Sequence, residues 1–205
     1  MKGKIKLGKF AAIDVYIHFT FVLLIGWLGF MFWTRGSGLA SMLEGIVFIL
    51  LLFACVVLHE FGHALTAKRY GIKTRDIILL PIGGVARLER MPENPRQELW
   101  VALAGPAVNL VIGSILFLWL QISQTFEPFQ NLTLTTGSFA ERLLGANLFL
   151  ALFNMLPGFP MDGGRVLRAL LAIRLDYSRA TQYAATIGQV MAFLFGILGF
   201  FSNPL

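Results

Sequence analysis

The sequence predicts an all-α polytopic membrane protein with about six transmembrane segments, one of them short, and a small membrane-associated β-hairpin or sheet between segments 2 and 3. Hydrophobic residues make up 57% of the 205 residues and charged residues 14%, whereas a soluble domain is about 25% charged. Several apolar stretches approach the roughly 20 residues that cross a bilayer. Basic residues cluster between them, which is typical of a membrane protein in a lipid bilayer and argues against a nucleic-acid partner despite the net charge of +6.

Five apolar stretches are long enough to be candidate spans. They are approximately Val15–Trp33, Gly45–Ala67, Leu99–Ile122, Phe139–Leu156 and Ala184–Phe200. A sixth stretch, Val166–Leu175, is too short for a full crossing and carries Arg168 and Arg174. Backbone inside a bilayer must satisfy its own hydrogen bonds, so we expect these spans to be helices.

The distribution of Lys and Arg predicts the orientation. Basic residues are concentrated in Lys2–Lys9, in 68–96 and in Arg165–Arg179, whereas Gln121–Ser138 contains no Lys or Arg. Cytoplasmic loops carry the excess of basic residues. We therefore expect a multi-pass protein of the cell membrane, with its N-terminus toward the cytoplasm.

The segment between the second and third stretches does not have a helical pattern. Asp76–Ile82 and Val85–Leu88 are short apolar runs on either side of Gly83-Gly84, which predicts two strands around a turn. A hairpin over Thr74–Glu89 could offer an unpaired edge to an extended substrate. The alternative is a re-entrant connector with no role in binding.

The second apolar stretch contains an H-E-x-x-H motif, formed by His59, Glu60 and His63. On a helix, residues four apart differ by about 40° in azimuth and about 6 Å in height, so both imidazoles can face one metal ion. Glu60 lies about 100° from His59, near enough to act on a water at that ion. Ionisable groups in an apolar span indicate function. The motif therefore predicts a zinc site, about 13 Å from the basic membrane boundary at Lys68. Because that boundary is the cytoplasmic one, we expect the active site to open toward the cytoplasm.

A catalytic zinc ion needs a third protein ligand. Cys55 shares a helix face with the two histidines but lies about 12 Å from His63 along the axis, so we interpret it as a packing residue. Asp162 is the better candidate, because it follows an apolar run that is broken by prolines and glycines. The alternative for Asp162 is the N-cap of a short helix that begins near Arg165.

These motifs occur in an order that resembles the site-2 proteases, a family of intramembrane zinc metalloproteases. The shared features are His18 at the start of the first span, His59-Glu60-x-x-His63, Pro81-Ile-Gly83-Gly84, Ala104-Gly105-Pro106-x-x-Asn109 and Asn154-x-x-Pro157-x-x-Pro160-x-Asp162-Gly163. One departure is Met161, where the family commonly has Leu, an apolar exchange of similar volume.

The resemblance implies a role for each site residue. His59, His63 and Asp162 would be the ligands of one Zn2+ per chain, Glu60 the catalytic base, and Asn154 the residue that stabilises the intermediate. It also implies cleavage of a single-span transmembrane protein in or near its membrane helix. We expect one transmembrane metalloprotease domain over residues 1–205, with no appended soluble regulatory domain, and the sequence does not indicate the oligomeric state.

Other interpretations remain open at this point. Asn154 could instead join helices or cap the backbone beside Pro157. Asn109 is expected to form a hydrogen bond between helices or to support the metal site from behind, and His18 to be a packing residue near the headgroups. A membrane metal permease and a non-catalytic membrane binding protein are the alternative functions.

Overall fold

The computed structural model describes residues 3–34, 38–123 and 137–202, which form six helices and four strands. The helices are α1 (Phe19–Thr34), α2 (Gly38–Arg69), α3 (Pro95–Ile122), α4 (Phe139–Asn154), α5 (Asp162–Ala172) and α6 (Tyr177–Ser202). The strands are β1 (Lys4–Phe10), β2 (Ile13–His18), β3 (Thr74–Leu80) and β4 (Gly83–Leu88). Most of the connection that we expect on the external side, at 121–138, lies outside the described residues.

The four strands form one sheet in the order β1-β2-β3-β4. The β3–β4 pair is the hairpin expected between segments 2 and 3. The β1–β2 hairpin was not expected. The sequence did carry a signal for β1, because the residues of Lys4-Ile-Lys-Leu-Gly-Lys-Phe10 alternate with the period of a strand. Strand β2 also pairs in parallel with β3, although α1 and α2 lie between these two strands in the chain.

The first apolar helix therefore begins later than the sequence indicated. Val15–His18 belong to β2, and α1 starts at Phe19. Ile13 and Val15 are buried with Ile77 of β3 and Ala64 of α2. Apolar residues that looked like the start of a span are thus the buried face of a strand, a distinction that hydrophobicity alone does not make.

By length and apolar composition, three helices in the described part of the chain could cross a membrane, namely α2, α3 and α6. The apolar helix α1 and the helix α4 have 16 residues each, or about 24 Å, against a hydrocarbon core of about 30 Å. The short element α5 has 11 residues. The protein is thus a mostly helical membrane protein with a small sheet, while the expected number of about six membrane segments stays a prediction.

Helix α3 is the centre of the bundle, because it packs against α2, α4 and α5. A buried ion pair joins α3 to α5, with Arg168 Nε donating to Glu98 Oε1 at 2.9 Å. The Arg168 guanidinium also lies 5.2 Å from the ring centre of Phe159 and 5.0 Å from that of Tyr177. The pair therefore ties the loop that precedes α5, and the first residue of α6, to the central helix.

Replacing Arg168 by Leu should lower the melting temperature of the purified protein in detergent by about 10 °C. The reason is that the charge of Glu98 would lose its partner inside the protein, which costs about 3–5 kcal/mol. Thermal unfolding followed by circular dichroism measures this change.

The matched control is Arg179→Leu, because the side chains of Arg179 and its partner Asp176 are 71% and 72% exposed. That variant should differ from the wild type by less than about 0.5 kcal/mol. Equal melting temperatures for the two variants would show that the buried pair does not stabilise the bundle.

Candidate metal centre

Helix α2 carries His59 and His63 one turn apart, with both side chains buried against α3. Each imidazole is oriented by a group on α3. His63 Nδ1 donates to the backbone carbonyl of Val101 at 2.7 Å, and His59 Nδ1 donates to Asn109 Oδ1 at 2.5 Å. These bonds direct the other ring nitrogen, Nε2, of each histidine toward the same point.

Asp162 is brought to that point by α5, of which it is the first residue. Its Oδ2 atom lies 3.1 Å from His59 Nε2 and 3.0 Å from His63 Nε2. The N-cap of α5 is Met161, so the alternative of Asp162 as an N-cap is wrong. A carboxylate in the first turn of a helix is also stabilised by the helix dipole.

The tautomer of the two histidines bears on whether this site suits a cation. Because Nδ1 of each ring is a donor, a neutral ring has its lone pair on Nε2. The two Nε2 atoms lie 3.1 Å apart and both face Asp162 Oδ2. When both rings are neutral, three acceptors this close repel each other unless a proton or a metal ion lies between them. Nitrogen and oxygen ligands about 2.0–2.1 Å from a tetrahedral zinc ion are roughly 3.3 Å apart, so the three residues fit zinc.

His59, His63 and Asp162 form the group of potential metal ligands found in the described part of the chain. Cys55 lies elsewhere, buried near Asn147, whose Nδ2 is 3.5 Å from the Cys55 sulfur. His18 ends β2, with Nδ1 at 2.8 Å from Thr20 Oγ1. Both positions agree with the packing roles expected from the sequence.

Gly105 of α3 makes room for the two imidazoles. A Cβ atom at this position would lie 2.2 Å from His63 Nε2 and 2.6 Å from His59 Nε2. Real Cβ atoms do not approach other atoms so closely, so every other residue at position 105 would displace the rings. The glycine of the Ala104-Gly105-Pro106 motif is therefore explained by the two imidazoles, which leave no room for a side chain.

Glu60 points from α2 toward strand β4. Its Oε2 atom accepts a hydrogen bond from the Ala86 backbone N–H at 2.9 Å. Gly84 allows this approach, because a Cβ there would lie 2.7 Å from Glu60 Cγ. The sheet therefore orients the carboxylate beside the three potential ligands.

A cleft of about 560 Å³ connects these groups. Its lining includes the three potential ligands, Glu60, Asn109 and Asn154, together with residues 83–86 and 88 of β4 and apolar side chains of α4. Asn154 Nδ2 donates to the Leu150 carbonyl at 3.0 Å within α4. An amide nitrogen has a second N–H, so this bond does not prevent a contact with a substrate.

Asn147 is a site residue that the sequence analysis missed. Its Oδ1 accepts from Asn109 Nδ2 at 3.0 Å, and its Nδ2 donates to the Leu143 carbonyl at 2.9 Å. Asn109 therefore presents its oxygen, and not its nitrogen, to His59. An asparagine in an apolar helix was the available signal, but nothing in the sequence related it to Asn109.

The sheet beside the cleft is held by charge as well as by backbone pairing. Arg87 Nε donates to Asp76 Oδ1 at 2.5 Å, which lowers the pKa of the Asp76 carboxyl below its usual value. Lys4 of β1 lies 3.5 Å from the same carboxylate. Because the shift is downward, this pairing stabilises the fold above about pH 4 and is lost as the pH falls through the lowered pKa.

Comparisons with known proteins agree with this architecture. The family model described as "Peptidase family M50" matches residues 47–146 and 130–195. Zinc metalloprotease MJ0392 of Methanocaldococcus jannaschii is 39% identical over 204 residues, covering 97% of this chain and 55% of that protein. The solved structure of a site-2 protease from Methanocaldococcus jannaschii matches with a TM-score of 0.68 and 37% identity, covering 97% of this chain and 86% of that one. The chain spans about half the length of the curated relatives it matches.

Replacing Gly105 by Ala should abolish stoichiometric zinc binding, because the new Cβ would push His59 and His63 apart. Gly113 on the same helix is the matched control, since a Cβ there meets its nearest atom at 3.5 Å, an ordinary contact. Metal analysis of the purified variants should show zinc retained only in Gly113→Ala, with equal helix content in both. Full zinc occupancy in Gly105→Ala would show that the rings are not held as described.

Replacing Asn109 by Ala should weaken zinc binding about 10–100-fold, because His59 would lose the acceptor that orients its ring. Competition with a chelator measures this change. The control is Asn154→Ala, whose side chain binds its own helix and should leave the affinity unchanged. Equal affinity in both variants would contradict the orienting role of Asn109.

Proposed function

The chain belongs to peptidase family M50, and from this premise we propose that it is an intramembrane zinc endopeptidase, which hydrolyses a peptide bond in or near the transmembrane helix of a membrane protein. The observation that carries the proposal is one cleft lined by three converging acceptor atoms and by the carboxylate of Glu60. A transmembrane segment is the substrate that suits a cleft built among apolar helices.

His59, His63 and Asp162 are the residues that would hold one zinc ion per chain. A zinc ion with three protein ligands lowers the pKa of a bound water toward about 7 and polarises the carbonyl of the scissile bond. Asn109 and the Val101 carbonyl keep both imidazoles in the tautomer that binds metal, and Gly105 leaves the space in which the ligand atoms meet.

Glu60 is the proposed general base and acid. Its Oε2 is engaged by Ala86, so its carboxylate is oriented before a substrate arrives, and Oε1 is the atom assigned to the proton. Glu60 removes the proton of the attacking water and later delivers it to the leaving amine, a contribution of typically 10²–10⁴ in rate.

Asn154 is proposed to stabilise the tetrahedral intermediate. Its amide lines the cleft from the end of α4, and one N–H bonds to Leu150. The remaining N–H can donate to the oxyanion of the substrate, an interaction worth roughly 3–4 kcal/mol in comparable sites.

Strand β4 is the proposed docking edge for the substrate. It is an outer strand of the sheet, and Gly83–Ala86 line the cleft. The N–H of Ala86 points away from β3, toward Glu60, so in the alternating pattern of an antiparallel pair the groups of Gly84 and Leu88 point the same way. An unwound segment of a substrate helix could pair with these groups and present its carbonyl to the cleft.

The orientation is also part of the proposal. The basic segments 68–75 and 87–96 adjoin the sheet, and basic residues of membrane proteins face the cytoplasm. We therefore place the sheet, the N-terminus and the opening of the cleft on the cytoplasmic side of a multi-pass protein in the cell membrane. Water would reach the site from that side, and a single-span substrate would enter from the surrounding lipid.

Replacing Glu60 by Gln should lower cleavage of a co-expressed single-span substrate by about 10²–10⁴, because the amide cannot accept the proton. Zinc content should remain near one ion per chain, since Glu60 is not among the proposed ligands. Glu89→Gln, at an exposed position just beyond β4, is the control and should cleave normally. Undiminished cleavage by Glu60→Gln would refute the mechanism, and zinc uptake into proteoliposomes by that variant would favour a permease.

A further inference from the structure

A second cavity, of about 440 Å³, opens beside the cleft and is lined by four arginines. They are Arg75 of β3, Arg87 of β4, Arg90 after β4 and Arg165 of α5, and together they are called the arginine vestibule below. The mechanism of peptide hydrolysis uses none of these four side chains. Four guanidinium groups are therefore concentrated next to the cleft without a role in the proposed hydrolysis.

The vestibule adjoins the cleft. Ala86, Leu88 and Arg165 line both cavities, so the strand that borders the cleft also borders the vestibule. A peptide paired along β4 would therefore pass from one cavity into the other. The vestibule would then receive substrate residues that lie a few positions from the cleaved bond.

The positive charge of the vestibule is only partly balanced. No acidic residue is among its described lining residues. Arg87 is paired with Asp76, but the pair of Arg90 with Glu93 is exposed to water, at 64% and 89%, and contributes little. Among the residues that the structure describes, Arg75 forms no ion pair.

Arg165 completes the excess of positive charge. Its Nη1 atom lies 3.7 Å from Asp162 Oδ1, beyond hydrogen-bonding distance, and its Nε is buried without a hydrogen-bond partner among the described residues. Asp162 also faces the two histidines, so its charge is shared with the proposed metal site. The vestibule is therefore suited to an anionic ligand.

We propose that the arginine vestibule binds acidic side chains in the segment of the substrate that flanks the scissile bond, and thereby selects substrates with an acidic flank. The inference rests on the proposed proteolytic function and adds its substrate class. Bidentate contacts between guanidinium and carboxylate groups give such recognition both charge and direction.

Selection of acidic flanks would distinguish substrates from most other membrane helices. Most single-span proteins carry Lys and Arg in the segment next to the cytoplasmic end of their helix. Those residues would be repelled by four arginines, so the vestibule would reject most membrane helices that diffuse past. An acidic peptide is a better candidate than an anionic lipid, because three residues that line the vestibule also line the cleft in which the substrate would bind.

The test uses the full chain in vesicles of phosphatidylcholine, with two single-span substrates that differ only in three Glu or three Lys in the cytoplasmic flank. The wild type should cleave the Glu substrate with a KM about fivefold lower. The double variant Arg75→Glu with Arg90→Glu should prefer the Lys substrate. Its matched control, Arg174→Glu with Arg179→Glu, changes exposed arginines outside the vestibule and should keep the wild-type preference.

Binding of both substrates to Glu60→Gln, measured by fluorescence anisotropy, separates recognition from catalysis. Tighter binding of the Glu substrate supports the vestibule even if the wild type cleaves neither substrate, in which case the proteolytic function itself fails. Equal KM and equal binding for the two substrates would overturn the inference, as would an unchanged preference in the double variant. Equal stimulation of both substrates by phosphatidylglycerol, with no substrate preference, would assign the vestibule to lipid.

Discussion

The convergence of two imidazole nitrogens and one carboxylate oxygen is the constraint on which the rest of the structure depends. His59, His63 and Asp162 bring these atoms within 3.1 Å of one another, an arrangement that is unfavourable for three acceptors unless they share a proton or a metal ion. Maintaining it requires that α2, α3 and α5 be placed accurately. The buried pair of Glu98 and Arg168 joins α3 to α5 and so helps to fix the position of the helix that carries Asp162.

Strand β4 links the proposed base to the proposed docking edge for the substrate. Its N–H at Ala86 holds Glu60, its outer edge borders the cleft, and its far end reaches the arginine vestibule. One short strand thus orients the proposed base, and in the proposed binding mode it would also pair with an unwound substrate helix and direct the flank of that substrate to a charged surface. The cleft beside β4 matters for this edge, because in a membrane protein unpaired backbone groups at membrane depth are tolerated only where they are buried in protein or line a polar cavity.

The helices of this protein are easier to predict from its sequence than the strands are. Long apolar runs predicted the helices well, since burial in lipid or protein demands uniform hydrophobicity. The same criterion failed at Val15–His18, where apolar residues form a strand, and it did not settle how many helices cross the bilayer. The β1–β2 hairpin was missed because the lysines of β1 looked like a topological signal, although their alternation was that of a strand.

The sequence by itself determined the class of protein and the chemistry-bearing residues, because H-E-x-x-H spacing and a carboxylate in an apolar context are local features. Their roles in catalysis stay predictions. Only the tertiary structure decided which groups meet: the acceptor face of Asn109, the Val101 carbonyl, the space at Gly105 and the contact of Glu60 with Ala86. Those contacts join residues far apart in the chain, and their partners are set by how helices and strands pack rather than by any local pattern.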